Sequence, residues 1–264
     1  MKKGKKLYEG KAKIIYATSD KNLVIQHFKD DATAFNNQKK DVIEGKGILN
    51  NRISEHIVTQ LSNVGIKNHL VKRLNMREQL VKLVEIIPIE FIVRNIATGS
   101  LTKRLGIEDG TVLDYPLVEY CLKNDDLGDP LVSREHILAF KWMDVFELDF
   151  IYEEVRRIKD FLQGMFRGVG IKLVDFKVEF GKAKSDGRII LADEISPDSC
   201  RLWDQETEKK LYKDRFRKDL GDIIEAYQEV ARRLGILHEQ SNIRPIKFPK
   251  PTAVKIKKNK WKLK

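Results

Sequence analysis

Two stretches far apart in this 264-residue chain carry residue types suited to phosphoryl chemistry. In the run LVDFKVEFG, Asp175, Lys177 and Glu179 alternate with Val174, Phe176, Val178 and Phe180. A strand puts the first set on one face and the apolar set on the other, because side-chain direction flips at each residue. Asp186-Gly187 marks a turn, and a returning strand over residues 188–195 ends in Asp193 and Glu194. Acids from both strands could then converge beside a lysine, a set that suits Mg²⁺ shared with a nucleotide's phosphates. A half-buried hairpin with a wet polar face produces the same pattern. A two-residue Asp186-Gly187 turn sets Glu194 opposite Glu179, and one residue of slip sets Asp193 there. The sequence leaves both registers open.

The second stretch is LYEGKAKIIYA, read as strand, tight turn at Gly10, strand. Glycine lets backbone N–H groups approach a phosphate closely, and Lys11 and Lys13, two apart, share a face and add charge. The loop is not a Walker A motif, since GxxxxGK[ST] is absent. A solvated hairpin fits these residues as well. Three further segments carry polar groups. Arg94 ends a strand and is followed by a small-residue loop to Gly99-Ser100, a credible anion site at the start of a helix. The loop Ser196-Pro197-Asp198-Ser199-Cys200-Arg201 leads into Leu202-Trp203-Asp204, and Arg201 could supply a forked donor. Lys123 opens an acidic loop that closes at Asp129-Pro130.

The elements that position these groups are strands and amphipathic helices. Strands are predicted over residues 22–29, 69–74, 78–87 and 89–93, with Pro88 breaking the largely apolar run EQLVKLVEII, in which Lys82 is an internal charge. A helix over 47–65 buries Leu49, Ile53, Ile57, Leu61 and Val64 and ends at Gly65. Helices are also predicted over 133–140, 148–170 and 206–235, and residues 30–46 read as a polar loop. Arg215, Arg217 and Lys218 read as surface charges of the last helix.

The net charge is +11, but nine basic residues and no acid lie between Arg244 and the end, leaving 41 basic against 39 acidic residues elsewhere. The basicity belongs to a tail, so nucleic acid is not expected as a partner. No apolar run is long enough to span a bilayer and no secretory signal is visible, so a cytoplasmic setting is expected. Cys121 and Cys200 form no close-spaced metal pair and read as free thiols.

The segments LYEGKAKIIY, KGILNNRIS, VRNIATGSLTKRLGIEDG, LKNDDLGDP, LVDFKVEFG, LADEISPDSCRLWD and EAYQEVARRLG together resemble the SAICAR synthetase family, of the free-standing bacterial type. The resemblance runs from about residue 7 to 235. It implies an α+β fold related to ATP-grasp and kinase-like architectures, with a small antiparallel β lobe over 1–87 and a larger α/β lobe over 88–243. Residues 244–264 form a basic extension that the family pattern does not explain. The implied reaction is an amide-forming C–N ligation in de novo purine synthesis. It joins L-aspartate to the carboxylate of carboxyaminoimidazole ribonucleotide (CAIR), with ATP and Mg²⁺, through an acyl phosphate. A homodimer is the implied assembly.

By the same resemblance, Gly10, Lys11, Ala12 and Lys13 cradle the triphosphate. Lys82 and the backbone around Val84 and Ile86 border the nucleotide. Glu179 and Asp193 hold Mg²⁺, and Arg94, Ser100 and Arg201 take the phosphate of the nucleotide substrate. Lys123, Asp129, Asp175 and Lys177 line the reaction centre. Two other readings use the same residues: a kinase acting on a hydroxyl, and a nucleic-acid binder acting through the tail.

Overall fold

The computed structural model describes residues 2–34, 39–213 and 223–237. The basic extension and Arg215, Arg217 and Lys218 lie outside the described residues. Two antiparallel sheets carry the fold. The first has the order β1-β2-β3-β7-β6, built from β1 (Lys6–Glu9), β2 (Lys13–Ala17), β3 (Leu23–Phe28), β6 (Leu70–Arg73) and β7 (Glu78–Lys82). The second runs β10-β9-β8-β11-β12, with β13 also pairing β11. Its strands are β8 (Val84–Ile96), β9 (Val112–Leu122), β10 (Leu131–Val132), β11 (Ile171–Ala183), β12 (Ile189–Ala192) and β13 (Cys200–Asp204).

The chain passes from one sheet to the other at Leu83. Its N–H donates to Asn22 and its carbonyl accepts from Lys184, so it belongs to neither ladder. Pro88 does not end a strand, as the sequence reading expected. It lies inside β8, where the pairing with β11 shifts between Glu179 opposite Glu90 and Gly181 opposite Ile86. Pro116 likewise lies inside β9, where Arg94 faces Leu117 but Ile96 faces Val112. A residue without an N–H fits a strand where the ladder is already interrupted.

Helices pack behind both sheets. The helix α1 (Lys46–Asn63) buries Leu49, Ile53, Ile57 and Leu61, while Val64, just past its end, is exposed. Gly65 follows at φ +88°, and its N–H bonds Ser62. Two short connections follow the sheet strands, α2 (Ser100–Leu105) and α3 (Arg134–Ala139). The long helix α4 (Val145–Gly168) starts with an Asp144–Glu147 capping box and packs Ile151, Val155, Ile158 and Leu162 against β8 and β11. The last described helix, α5 (Ile223–Arg233), adds Tyr227 and Val230 to the same core. Each such buried side chain contributes about 1.5–3 kcal/mol.

Three local expectations are corrected. Residues 206–213 are not helical. The Asp204 carboxylate accepts the N–H groups of Glu206 and Thr207 and the Thr207 hydroxyl, which closes a turn. Lys210 then bridges back to Trp203. Residues 30–46 are not all loop: β4 (Asp31–Ala34) pairs with β5 (Lys39–Val42). Val174 does not share the apolar face of Phe176, Val178 and Phe180. Leu173 faces Leu202 and Asp175 faces Arg201, so Val174 is the extra residue of a β-bulge. It packs with Ile96, Trp203 and Tyr212, apart from the main core.

A buried charge ties the helices to the loop before β13. Lys46, 1% exposed in the first turn of α1, lies 2.5 Å from Asp198, whose other oxygen accepts from the Tyr227 hydroxyl on α5. A cation at a helix N-terminus is unfavourable, so Asp198 must compensate both dipole and burial. Lys46→Met should therefore cost about 3–5 kcal/mol, read from urea unfolding, because it strands Asp198. Leu162→Ala should cost about 2–5 kcal/mol. Phe146→Ser, at a position 81% exposed, should change stability by less than about 0.5 kcal/mol.

Candidate active site

A cleft of about 1420 Å³ opens between the two sheets. Every residue singled out from the sequence lines it: Gly10, Lys11, Ala12, Lys13, Lys82, Val84 and Ile86 from the first sheet and the crossing, and Arg94, Ser100, Lys123, Asp129, Asp175, Lys177, Glu179, Asp193 and Arg201 from the second.

The β1–β2 connection is a tight turn closed by the Gly10 N–H on the Lys13 carbonyl at 2.8 Å. It sends its two lysines to different acids. Lys11 Nζ lies 2.6 Å from Asp125 in the loop after β9, whereas Lys13 Nζ contacts both Asp193 and Glu194 beyond β12. The early and late ribbons thus meet directly across the cleft. The two lysines do not share a strand face, because Lys11 belongs to the turn.

The register of the late hairpin differs from both sequence alternatives. Residues 184–188 form a longer loop, with the Ala183 N–H on the Arg188 carbonyl, and Ala192 stands opposite Glu179. Asp193 follows with φ +62°, a left-handed conformation that Asp tolerates better than most residues. The strand ends there and the backbone turns, which delivers the Asp193 and Glu194 carboxylates to Lys13. Burial and the nearby Asp198 carboxylate push Asp193 up to about 7, and burial pushes the Lys13 ammonium down to about 7. Both shifts say that this desolvated pocket resists isolated charge.

Next to this pair is a four-residue charge cluster. Glu90 and Glu179 are direct cross-strand partners, a repulsive placement for two acids. Lys177 Nζ lies 2.7 Å from an oxygen of each, and Lys123 Nζ lies 2.7 Å from Glu179 and 3.6 Å from Glu90. Burial works to raise Glu179, but the two ammonium groups outweigh it and hold the carboxyl well below the usual range. Burial works against the Lys177 cation too, and Glu179 and Glu90 outweigh it and push it up.

A third group is arginine-rich. Arg94 on β8, Asp175 on β11 and Arg201 on β13 stand abreast, since Asp175 is the register partner of both arginines. That alignment continues the regular ladder of Phe176 with Val93 and Cys200. Asp175 Oδ2 accepts from Arg94 at 2.9 Å and from Arg201 at 2.6 Å. Arg94 also donates to the Ser100 hydroxyl at 3.1 Å, which leaves the hydroxyl proton able to donate elsewhere. Gly99 precedes at φ +64°, and a Cβ there would come within 2.8 Å of the Arg201 guanidinium. Only glycine fits.

The remaining positions are quieter. Lys82 donates to the Asn68 carbonyl at 3.3 Å. Asp129, at φ +51°, closes its own loop by accepting the Asn124 N–H. Beside Val84 and Ile86, β9 begins to pair with β8 only near Ile89, so among the described residues no strand covers that edge of residues 84–87. The thiols of Cys121 and Cys200 are free and buried, and burial pushes them up to about 11 and about 12. No thiolate nucleophile is on offer.

The site residues chosen from the sequence left out Glu90, Asp198 and His69, and kept Glu194 only as an alternative partner of Glu179; all four line the cleft. Glu90 was legible: it shares a strand face with Arg94 in an otherwise apolar run. His69 is buried, and burial holds its imidazole neutral by pushing it down to about 3. Nothing in the sequence pairs it with the distant Leu191, whose carbonyl accepts its N–H. Among the described residues, no group of three or more His, Cys, Asp or Glu side chains is arranged to hold a metal.

A family model described as SAICAR synthetase matches residues 6–234. A phosphoribosylaminoimidazole-succinocarboxamide synthase of Pelagibacter ubique (strain HTCC1062) is 73% identical over 260 residues, covering 98% of this chain and 100% of its own. The crystal structure of the synthase of that name from Ehrlichia chaffeensis is 53% identical with a TM-score of 0.87, covering 89% of this chain and 100% of that one. A SAICAR synthetase solved in complex with ADP is 43% identical with a TM-score of 0.83, covering 86% and 96%. With its antiparallel sheets, its shared cleft and these likenesses, the chain belongs to the SAICAR synthetase family, the ATP-dependent ligases that join L-aspartate to CAIR in purine biosynthesis.

Proposed function

We propose that the cleft performs this ligation in two steps on a triphosphate held between the sheets. The observation that carries the reading is the contact of Lys13 with Asp193 and Glu194, which joins the glycine-turn ribbon to the acid-bearing one. A carboxylate is a poor acyl donor because its leaving group would be oxide. Attack of a CAIR carboxylate oxygen on the γ-phosphorus releases ADP and makes an acyl phosphate. The aspartate amine then adds to the acyl carbon, loses a proton and expels phosphate. Charge neutralisation and positioning do most of the work in such transfers.

The residue roles are those that the resemblance to the family implies, and the chemistry and charge of the cleft support them. Gly10, Lys11, Ala12 and Lys13 take the triphosphate, with Lys82, Val84 and Ile86 along the nucleoside; the uncovered edge of residues 84–87 supports an adenine there. Glu179 and Asp193 offer hard oxygen donors that fit Mg²⁺, and the contact of Asp193 with Lys13 of the glycine-turn ribbon supports a cation shared with phosphates there. When bound, Mg²⁺ supplies charge neutralisation at the transferring phosphoryl group. Arg94, Ser100 and Arg201 take the ribotide phosphate. Asp175 orients both arginines. Lys123 and Lys177 face the developing negative charge, and Asp129 borders the acceptor. A homodimer and a cytoplasmic setting complete the reading and rest on resemblance to the family.

An assay of ADP release, run with and without each acceptor, tests the reaction. ADP should form only when CAIR is present, and SAICAR only with L-aspartate; release driven by a hydroxyl acceptor would favour the kinase. Lys13→Met should lower kcat/KM by about 10²–10³-fold. Asp175→Asn should lose about 100-fold in turnover while its Tm stays within about 8 °C of the parent, as differential scanning fluorimetry can check. Glu179→Gln should raise the Mg²⁺ concentration needed for half-maximal activity, and chelation should abolish turnover reversibly.

A further inference from the structure

Behind the arginine group is a carboxylate that does not line the cleft. Glu119 on β9 is 9% exposed, and its register partner on β8 is Ile92. Its side chain reaches diagonally to Arg94, two residues further along the same face. One Glu119 oxygen accepts Arg94 Nε at 2.6 Å, and the other contacts Arg104 of α2. Arg94 is itself only 3% exposed.

A guanidinium has a fixed fork of donors, so fixing one edge fixes the direction of the other. Glu119 occupies the Nε edge of Arg94, while NH1 and NH2 point to Asp175 and Ser100 on the cleft side. Resting on the reading that Arg94, Ser100 and Arg201 take the ribotide phosphate, we infer that Glu119 is a positioning residue for that phosphate. It holds the buried Arg94 fork square to the cleft and, through Arg104, ties α2 and its Ser100 to the same frame. Two opposing effects of this acid can be separated. As background charge it repels a phosphate, so its removal would tighten ribotide binding. As a positioning group it keeps the fork aimed, so its removal weakens binding. Inside a buried network the loss of a partner outweighs a distant like charge, because the stranded guanidinium must find new partners.

The test is steady-state kinetics on the full-length enzyme, varying CAIR, ATP and L-aspartate in turn. Glu119→Gln should raise KM for CAIR about tenfold and leave the other two KM values within about twofold. Glu119→Asp, which keeps the charge, should raise it less. If Arg94→Gln raises KM for CAIR but Glu119→Gln leaves it unchanged or lowers it, the inference fails and the phosphate assignment stands. If Arg94→Gln also leaves it unchanged, the assignment itself fails and takes the inference with it. Should Glu119→Gln not fold, Arg104→Gln, at a side chain 35% exposed, carries the test. It frees a Glu119 oxygen to pull on Arg94 and should raise KM for CAIR about threefold, and an unchanged value would overturn the inference.

Discussion

The structure depends on charge compensation in a place with little water. Lys13, Lys123 and Lys177 come from three different strands or loops, yet each reaches a carboxylate of another element, Lys177 that of Glu90 on β8. A lone ammonium or carboxylate at this depth would be costly, and so would Glu90 against Glu179 without the lysines between them. The cleft is therefore a balanced set of ions, held ready for a ligand that brings its own phosphates and cation. Such a set can rearrange partners at small net cost, because each ion that loses one partner gains another.

The two sheets are bound to each other through backbone and through ions. The backbone crosses once, at Leu83. The segment before β6 then stitches back to β12: Leu191 donates to the Lys67 carbonyl and accepts from His69. The ion contacts are those of Lys13 with Asp193 and Glu194 and of Lys11 with Asp125. Meanwhile α1, which comes from the N-terminal part of the chain, shares its core with α4 and α5 on the second sheet. The same helix also touches β3, β6 and β7 of the first sheet, so the apolar core runs behind the cleft from one sheet to the other.

Much of the site could be read from the sequence because the alternation in LVDFKVEFG and the glycine turn in LYEGKAK are local signals. Helices α1, α3 and α4 were legible for the same reason, since their periods and caps lie within one turn or a few. What could not be read was phase. The hairpin register depended on the loop over residues 184–188 closing wider than an Asp-Gly turn, and on Asp193 adopting a left-handed backbone. The bulge at Val174 answers to β13, a strand formed later in the chain. The helical reading of residues 206–213 failed because Asp204, with its acceptor oxygens, outcompeted the helix for the Glu206 and Thr207 N–H groups. Long-range pairings such as Glu119 with Arg94 leave no local trace.

The extra residue at Val174 acts as a vernier between neighbouring strands. It takes up one residue of β11 without disturbing the pairs on either side, so its removal would keep Leu173 opposite Leu202 and Asp175 opposite Arg201, whereas a one-residue deletion between Asp175 and Glu179, where the ladder to β8 is unbroken, would turn the acids out of the cleft. The opposite end of the same strand is under no such constraint. Residues 184–188 are all exposed and face no part of the cleft, so that tip is where a reporter peptide or a new chain end could be grafted without disturbing the chemistry.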